Sequence, residues 1–138
     1  MRNKKFKMLT LLLVLSTTIM LGGVKSYAYL SHITGSVDGT GVYAGCTALM
    51  YSASATTTGT SPNSGIDATV ISTYNYVNMY TGISDEQGKY QNGPNGVTVS
   101  FSSPEDCRTV NILSTHYASK NGSDWNQITL QTYPNTIS

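Results

Sequence analysis

Few residues of this 138-residue chain are of a type that performs chemistry. Two histidines are present, His32 and His116. His116 follows Ser114 by two positions, and on a strand the two share one face. A serine nucleophile needs its base within hydrogen-bond reach and a third group to orient that base. Same-face strand neighbours sit about 7 Å apart, too far for that pairing alone. No nucleophile elbow and no zinc-binding helix motif is present. The acidic pairs Asp85-Glu86 and Glu105-Asp106 are adjacent in sequence and lie in turn-like surroundings. Glycoside hydrolysis needs two carboxylates facing each other across a substrate, so these pairs read as solvated loop charges. They also lack the alternating Asp-x-Asp-x-Asp spacing of a calcium loop. The expected catalytic set is therefore empty, with no cofactor and no metal, and the chain reads as non-enzymatic.

Aromatic side chains are the stronger functional signal. Tyr80 and Tyr90 fall in a long polar stretch, and Trp125 stands beside an Asn-Gly turn. A ring with a polar edge binds sugars and protein surfaces at low entropic cost. With His116, these three make the expected ligand-binding set. If exposed, they form a platform for glycan rings. If buried, Trp125 packs over Ala118, and Tyr74 and Tyr76 fill the core.

The start of the chain says where such binding takes place. Arg2, Lys4, Lys5 and Lys7 precede an almost wholly apolar run from Met8 to Leu21, and Ser26-Tyr27-Ala28 places small residues two apart. This is the pattern of a secretory signal peptide, residues 1–28, cleaved at Ala28/Tyr29. The apolar run is shorter than the roughly 20 residues that span a bilayer. No later segment is long and apolar enough to span one. The exported part, 29–138, is expected to form a single domain in an extracellular or cell-surface location.

Export changes the charge. From Tyr29 onward three cations (Lys89, Arg108 and Lys120) stand against seven acids, a net charge of −4. A phosphate backbone needs a basic surface, so nucleic acid is excluded as a partner, and anionic membrane surfaces are disfavoured. The two cysteines, Cys46 and Cys107, read in an exported domain as a disulfide. Closing a loop of about 60 residues, it would contribute on the order of 4 kcal/mol.

The elements that must position these residues are strands. Cys46–Thr57 alternates with period two, as do Ile66–Val77 and Val97–Ser102. Gly59–Gly65 is a turn cluster. The Gly-rich stretch 29–45 is expected to hold a short edge strand near Leu30–Ile33 or none, and to be poorly ordered. The stretch 78–96 reads as a long polar loop, and loops of that length are functional or mobile. Val110–Ser119 and Asp124–Thr132 flank Asn121-Gly122, whose backbone preferences suit a tight hairpin turn. With that two-residue loop, Ala118 faces Trp125, His116 faces Gln127 and Leu113 faces Leu130. The face carrying Leu113, Thr115, Tyr117, Ile128 and Leu130 is expected to be buried. The face of Ser114, His116, Gln127, Thr129 and Trp125 is expected to point outward. Asn121-Gly122-Ser123 also matches a glycosylation acceptor, and the turn accounts for it fully.

Five to six strands, no amphipathic helix and one disulfide predict an all-β fold, a small antiparallel β-sandwich. A leader followed by a Ser/Thr/Tyr-rich, Gly-studded β domain resembles the small exported proteins of Gram-positive bacteria. In plan it is similar to the lactococcin-like β-sandwich bacteriocins. Their Trp- and Gly-rich mature start is replaced here by Tyr29-Leu30-Ser31-His32-Ile33, so no residue is carried across. The expected function is a secreted binding protein for a cell-wall glycan or a surface protein. The alternatives are a bacteriocin-like antagonist and a secreted hydrolase.

Overall fold

The computed structural model describes residues 31–133. The expected signal peptide and its expected cleavage point lie outside the described residues. Eight antiparallel strands follow one another: β1 His32–Val37, β2 Thr40–Leu49, β3 Ser52–Gly59, β4 Asp67–Asn78, β5 Ser84–Pro94, β6 Gly96–Ser102, β7 Cys107–Lys120 and β8 Ser123–Thr132. They form two four-stranded sheets, ordered β1-β2-β3-β6 and β5-β4-β7-β8. The all-β expectation holds, with more strands than expected. No helix among the described residues is long and apolar enough to cross a membrane.

The extra strands have physical causes. The alternating run expected as one strand folds back on itself at Met50-Tyr51. Leu49, Met50 and Tyr51 continue the apolar alternation through that turn, so composition gives no break there. The polar stretch after β4 is mostly β5, an edge strand whose Asp85, Glu86 and Lys89 suit a solvent-facing edge. The Gly-rich stretch expected to hold at most one short strand forms β1 and the first half of β2. Asp38 and Gly39, both with positive φ, turn the chain between them.

The β7–β8 register is the expected one, with Ala118 opposite Trp125, His116 opposite Gln127 and Leu113 opposite Leu130. Asn121 and Gly122 both have positive φ, as the tight turn requires. The facing is reversed from expectation. Ile112, Ser114, His116, Ala118 and Thr129 are buried, while Leu113, Tyr117, Ile128 and Leu130 are half-buried on the outside of the sheet. A strand pair carries two faces, and here the outer one holds the larger aliphatic side chains.

Tyr74 fills the middle of the core, stacked on Phe101 at 5.2 Å and tilted against Tyr76 at 5.7 Å. Around them pack Ala55, Val70, Val99 and Ile112. A second cluster of Val37, Val42, Ile66, Ala68 and Ala118 closes the far end, with Trp125 against it.

The expected disulfide is absent: Cys46 and Cys107 are buried free thiols in one core cluster. Position forbids the bond. The Cys46 Sγ approaches the Ile112 carbonyl oxygen at 3.9 Å. Ile112 lies five residues along β7 from Cys107, roughly 16 Å at about 3.3 Å per residue. A disulfide needs Cα atoms within about 7 Å. An even cysteine count carries no information about that distance, and each thiol packs as a small apolar group.

Candidate functional site

The four expected ligand-binding residues do not converge. His116 is 0 % exposed, at the centre of the sandwich. The Thr57 hydroxyl gives its single proton to the Thr69 carbonyl at 3.0 Å. Its oxygen therefore accepts from His116 Nδ1–H at 2.9 Å. That tautomer leaves Nε2 as an acceptor for the Thr129 hydroxyl at 2.7 Å. Burial pushes the imidazole pKa down from 6.5 to about 4, and a backbone contact at Thr56 opposes the shift only in part. The ring is thus neutral, and both its nitrogens are engaged. Its neighbour Ser114 is paired with Ser72 at 2.8 Å on the same buried face.

The Thr129 hydroxyl also touches the Cys46 thiol. Burial raises that thiol's pKa, and the Thr129 contact counters the rise. His116, Thr57 and Thr129 therefore tie three strands of two sheets together inside the core.

Trp125 turns inward as well. Its indole lies over Gly35 of β1, where a Cβ would collide with the ring. A glycine is required there because two layers approach closely. Trp125 is half-buried, packed against the cluster that holds Ala118 and Val37. Tyr90 is exposed on the outer face of β5, opposite Ile71. Tyr80 alone stands free, 82 % exposed in the β4–β5 turn.

Tyr80 belongs to a larger feature. The β2–β3 turn, the β4–β5 turn and the Ser103–Asp106 connector meet at one end of the sandwich. Thr109 N–H donates to the Met50 carbonyl, Ser103 N–H to the Tyr51 carbonyl and Met79 N–H to the Asp106 carbonyl. On these two turns Leu49, Met50, Tyr51, Met79, Tyr80 and Ile83 are all exposed. The opposite end carries the polar turns Asp38-Gly39 and Asn121-Gly122. There the Asn121 amide donates to Asp38 at 2.6 Å, and the Lys120 ammonium donates to Thr40 at 2.7 Å and to the Ser64 carbonyl at 2.8 Å. Scattered apolar residues on a surface need no explanation, but six of them on two turns at one end make a candidate interaction site.

A second, polar feature lies on the outer face of β4, β7 and β8. Asp67, Thr69, Tyr117, Asp124, Asn126 and the expected ligand-binding residue Trp125 are among the residues that line a shallow cleft of about 330 Å³. The Asn92 amide holds its rim, donating to Asp67 at 3.1 Å and to Thr69 at 2.8 Å. Carboxylates, amides and a tyrosine edge suit sugar hydroxyls. Among the described residues no group of three His, Cys, Asp or Glu is placed to hold a metal ion.

Sequence reasoning found Tyr80 and missed its companions. Leu49, Met50 and Tyr51 continue the apolar alternation of a strand, so the turn beneath them is hidden. Met79 and Ile83 flank Tyr80 in a stretch otherwise polar, which was a readable signal. No family model, no curated protein and no solved structure matches this chain.

Proposed function

We propose that this is a secreted, non-enzymatic binding protein that attaches to a cell surface through its apolar end. The observation that carries the reading is the grouping of Leu49, Met50, Tyr51, Met79, Tyr80 and Ile83 on two adjacent turns. Water gains nothing from such a group, and burying it against a partner releases about 25 cal/mol per Å² of apolar surface. His116, the one histidine on the expected binding face, is sealed from solvent with both ring nitrogens engaged, so neither turnover nor ligand contact is proposed at that residue.

The test is adsorption to intact cells. The exported protein is expected in the pellet, and the Tyr80→Ser/Ile83→Ser protein in the supernatant. Equal partition of both proteins overturns the reading. Growth inhibition of the coated cells would favour the secreted-antagonist alternative over a plain binding module.

A second reading rests on the cleft at Asp67, Tyr117 and Asp124, which fits a wall polysaccharide. It predicts that Tyr117→Ala abolishes retention on a polysaccharide column while the turn substitutions leave retention unchanged.

A further inference from the structure

The apolar end has features that choose between kinds of partner. We infer that it inserts into the interfacial layer of a lipid bilayer of neutral net charge. This inference rests on the reading that the apolar end is the attachment site, and it names what that end attaches to.

The backbone of the β4–β5 turn is the main argument. Every amide from Asn78 to Ile83 already has a partner inside the protein. Asn78 N–H donates to the Ile83 carbonyl at 2.9 Å, Met79 N–H to the Asp106 carbonyl at 2.8 Å and Gly82 N–H to the Asn78 carbonyl at 2.9 Å. Tyr80 and Thr81 N–H both donate to the Asn78 side-chain oxygen at 2.9 Å. Ile83 N–H reaches the Thr81 hydroxyl at 3.3 Å. In the adjacent turn the Met50 and Tyr51 carbonyls accept from Thr109 and Ser103. Turns in water make such bonds too, but here no amide of the segment is left for water to satisfy. A turn that enters lipid must satisfy them internally.

The side chains agree. Tyr80 is 82 % exposed, Ile83 69 %, Leu49 57 % and Tyr51 53 %. They differ in length and shape, so a rigid protein face would have to match each, whereas a fluid layer closes around them all. Tyrosine favours the headgroup level, and Leu, Met and Ile favour the acyl boundary below it. The same hydrogen bonds fix the turn before contact, so little ordering is required on binding.

Charge sets the lipid class. No charged residue lies from Leu49 to Ser52 or from Asn78 to Ile83. Immediately behind the turns stand Asp85, Glu86, Glu105 and Asp106, all exposed, with Arg108 on the adjoining strand. This collar is net negative and is repelled by anionic headgroups over about a Debye length.

The experiment is flotation with phosphatidylcholine vesicles, and with vesicles in which a third of that lipid is replaced by phosphatidylglycerol. The exported protein is expected to float with the neutral vesicles. The Tyr80→Ser/Ile83→Ser protein should float at least tenfold less, with an unchanged melting temperature. Anionic vesicles should hold less protein than neutral ones, and added salt should narrow that gap. In a separate Tyr80→Trp protein, the new indole should shift to shorter wavelength on neutral vesicles. Equal flotation of parent and double variant, or a preference for the anionic vesicles, overturns the inference. If nothing floats but the double variant has lost adsorption to cells, attachment by the apolar end stands and the lipid assignment fails. If the double variant still adsorbs to cells, the attachment reading fails with it.

Discussion

The centre of this sandwich and one of its ends reverse the usual sorting of side chains in opposite senses. At the centre, polar groups are hidden: His116, Thr57, Thr129, Ser72 and Ser114 are all fully buried. At the end, apolar groups are shown to water: Leu49, Met50, Tyr51, Met79, Tyr80 and Ile83. The two reversals differ in what compensates them. Each buried imidazole nitrogen has a hydroxyl partner, so the centre is satisfied within the chain. The exposed apolar side chains have no such compensation within the fold. A buried polar group with all its bonds made gives registry to the two sheets, and an exposed apolar group without cover points to something outside the molecule.

This contrast predicts a separation of effects, with stability changes at the centre and binding changes at the end. The largest effect is expected from His116→Ala. It opens a cavity and leaves the Thr129 hydroxyl without an acceptor, a loss of about 4 kcal/mol in chemical denaturation. Next in size is the acid response of the unaltered protein. The folded imidazole titrates at about 4, below the ordinary 6.5. As pH falls through 6.5 the unfolded chain takes up a proton that the folded chain refuses. Stability conferred by this site is therefore complete above 6.5, declines down to pH 4 and levels off below. The decline amounts to roughly 3 kcal/mol, since stability falls by about 1.4 kcal/mol for each pH step between the two titration points. His116→Ala should lack this segment of the pH profile, and its persistence in that variant would falsify the assignment to His116.

Gly35→Val should cost about 2 kcal/mol, because the new side chain must displace the indole of Trp125. Its signature is a red shift of Trp125 emission in the folded protein. The smallest stability effect belongs to Tyr80→Ser/Ile83→Ser, within about 0.5 kcal/mol of the parent, as for surface changes away from buried features. A large loss of stability in this pair would break the comparison, since the end would then be part of the scaffold.

The sequence was informative wherever one short-range rule acted alone. Asn121-Gly122 fixes a hairpin register, and through it every pairing from Lys120–Ser123 to Asn111–Thr132. Val97, Val99 and Phe101 alternate against hydroxyl residues, and β6 lies where they say. β4 likewise buries Ala68, Val70, Tyr74 and Tyr76 on one side, and Ile66 is buried just before it. The rule failed where composition misleads. Leu49, Met50 and Tyr51 continue the apolar alternation, so the bend at Met50-Tyr51 left no trace. β5 has the composition of a loop because its place at the sheet edge asks nothing apolar of it. Facing in β7–β8 is easily misread because Leu113, Ile128 and Leu130 look more like a core than His116 and Thr129 do. What decides is the far sheet, where Thr57 meets His116, and Gly35 leaves room for Trp125. No local pattern in β7 or β8 contains that information. The apolar end is hidden for the same reason, since its six side chains come from two turns separated in sequence by two strands, β3 and β4.

The unpaired cysteines have a consequence for how the chain is made. With Cys46 and Cys107 serving only as packing groups, no covalent bond has to form before the sandwich is complete. Folding is then limited by topology, namely the time needed to bring β3 to β6 and β4 to β7 across intervening strands. Such a chain reaches its structure equally well in the presence of glutathione or of oxygen. The cell that makes it needs no thiol oxidase or disulfide isomerase on its behalf, and denatured protein should renature in a reducing buffer.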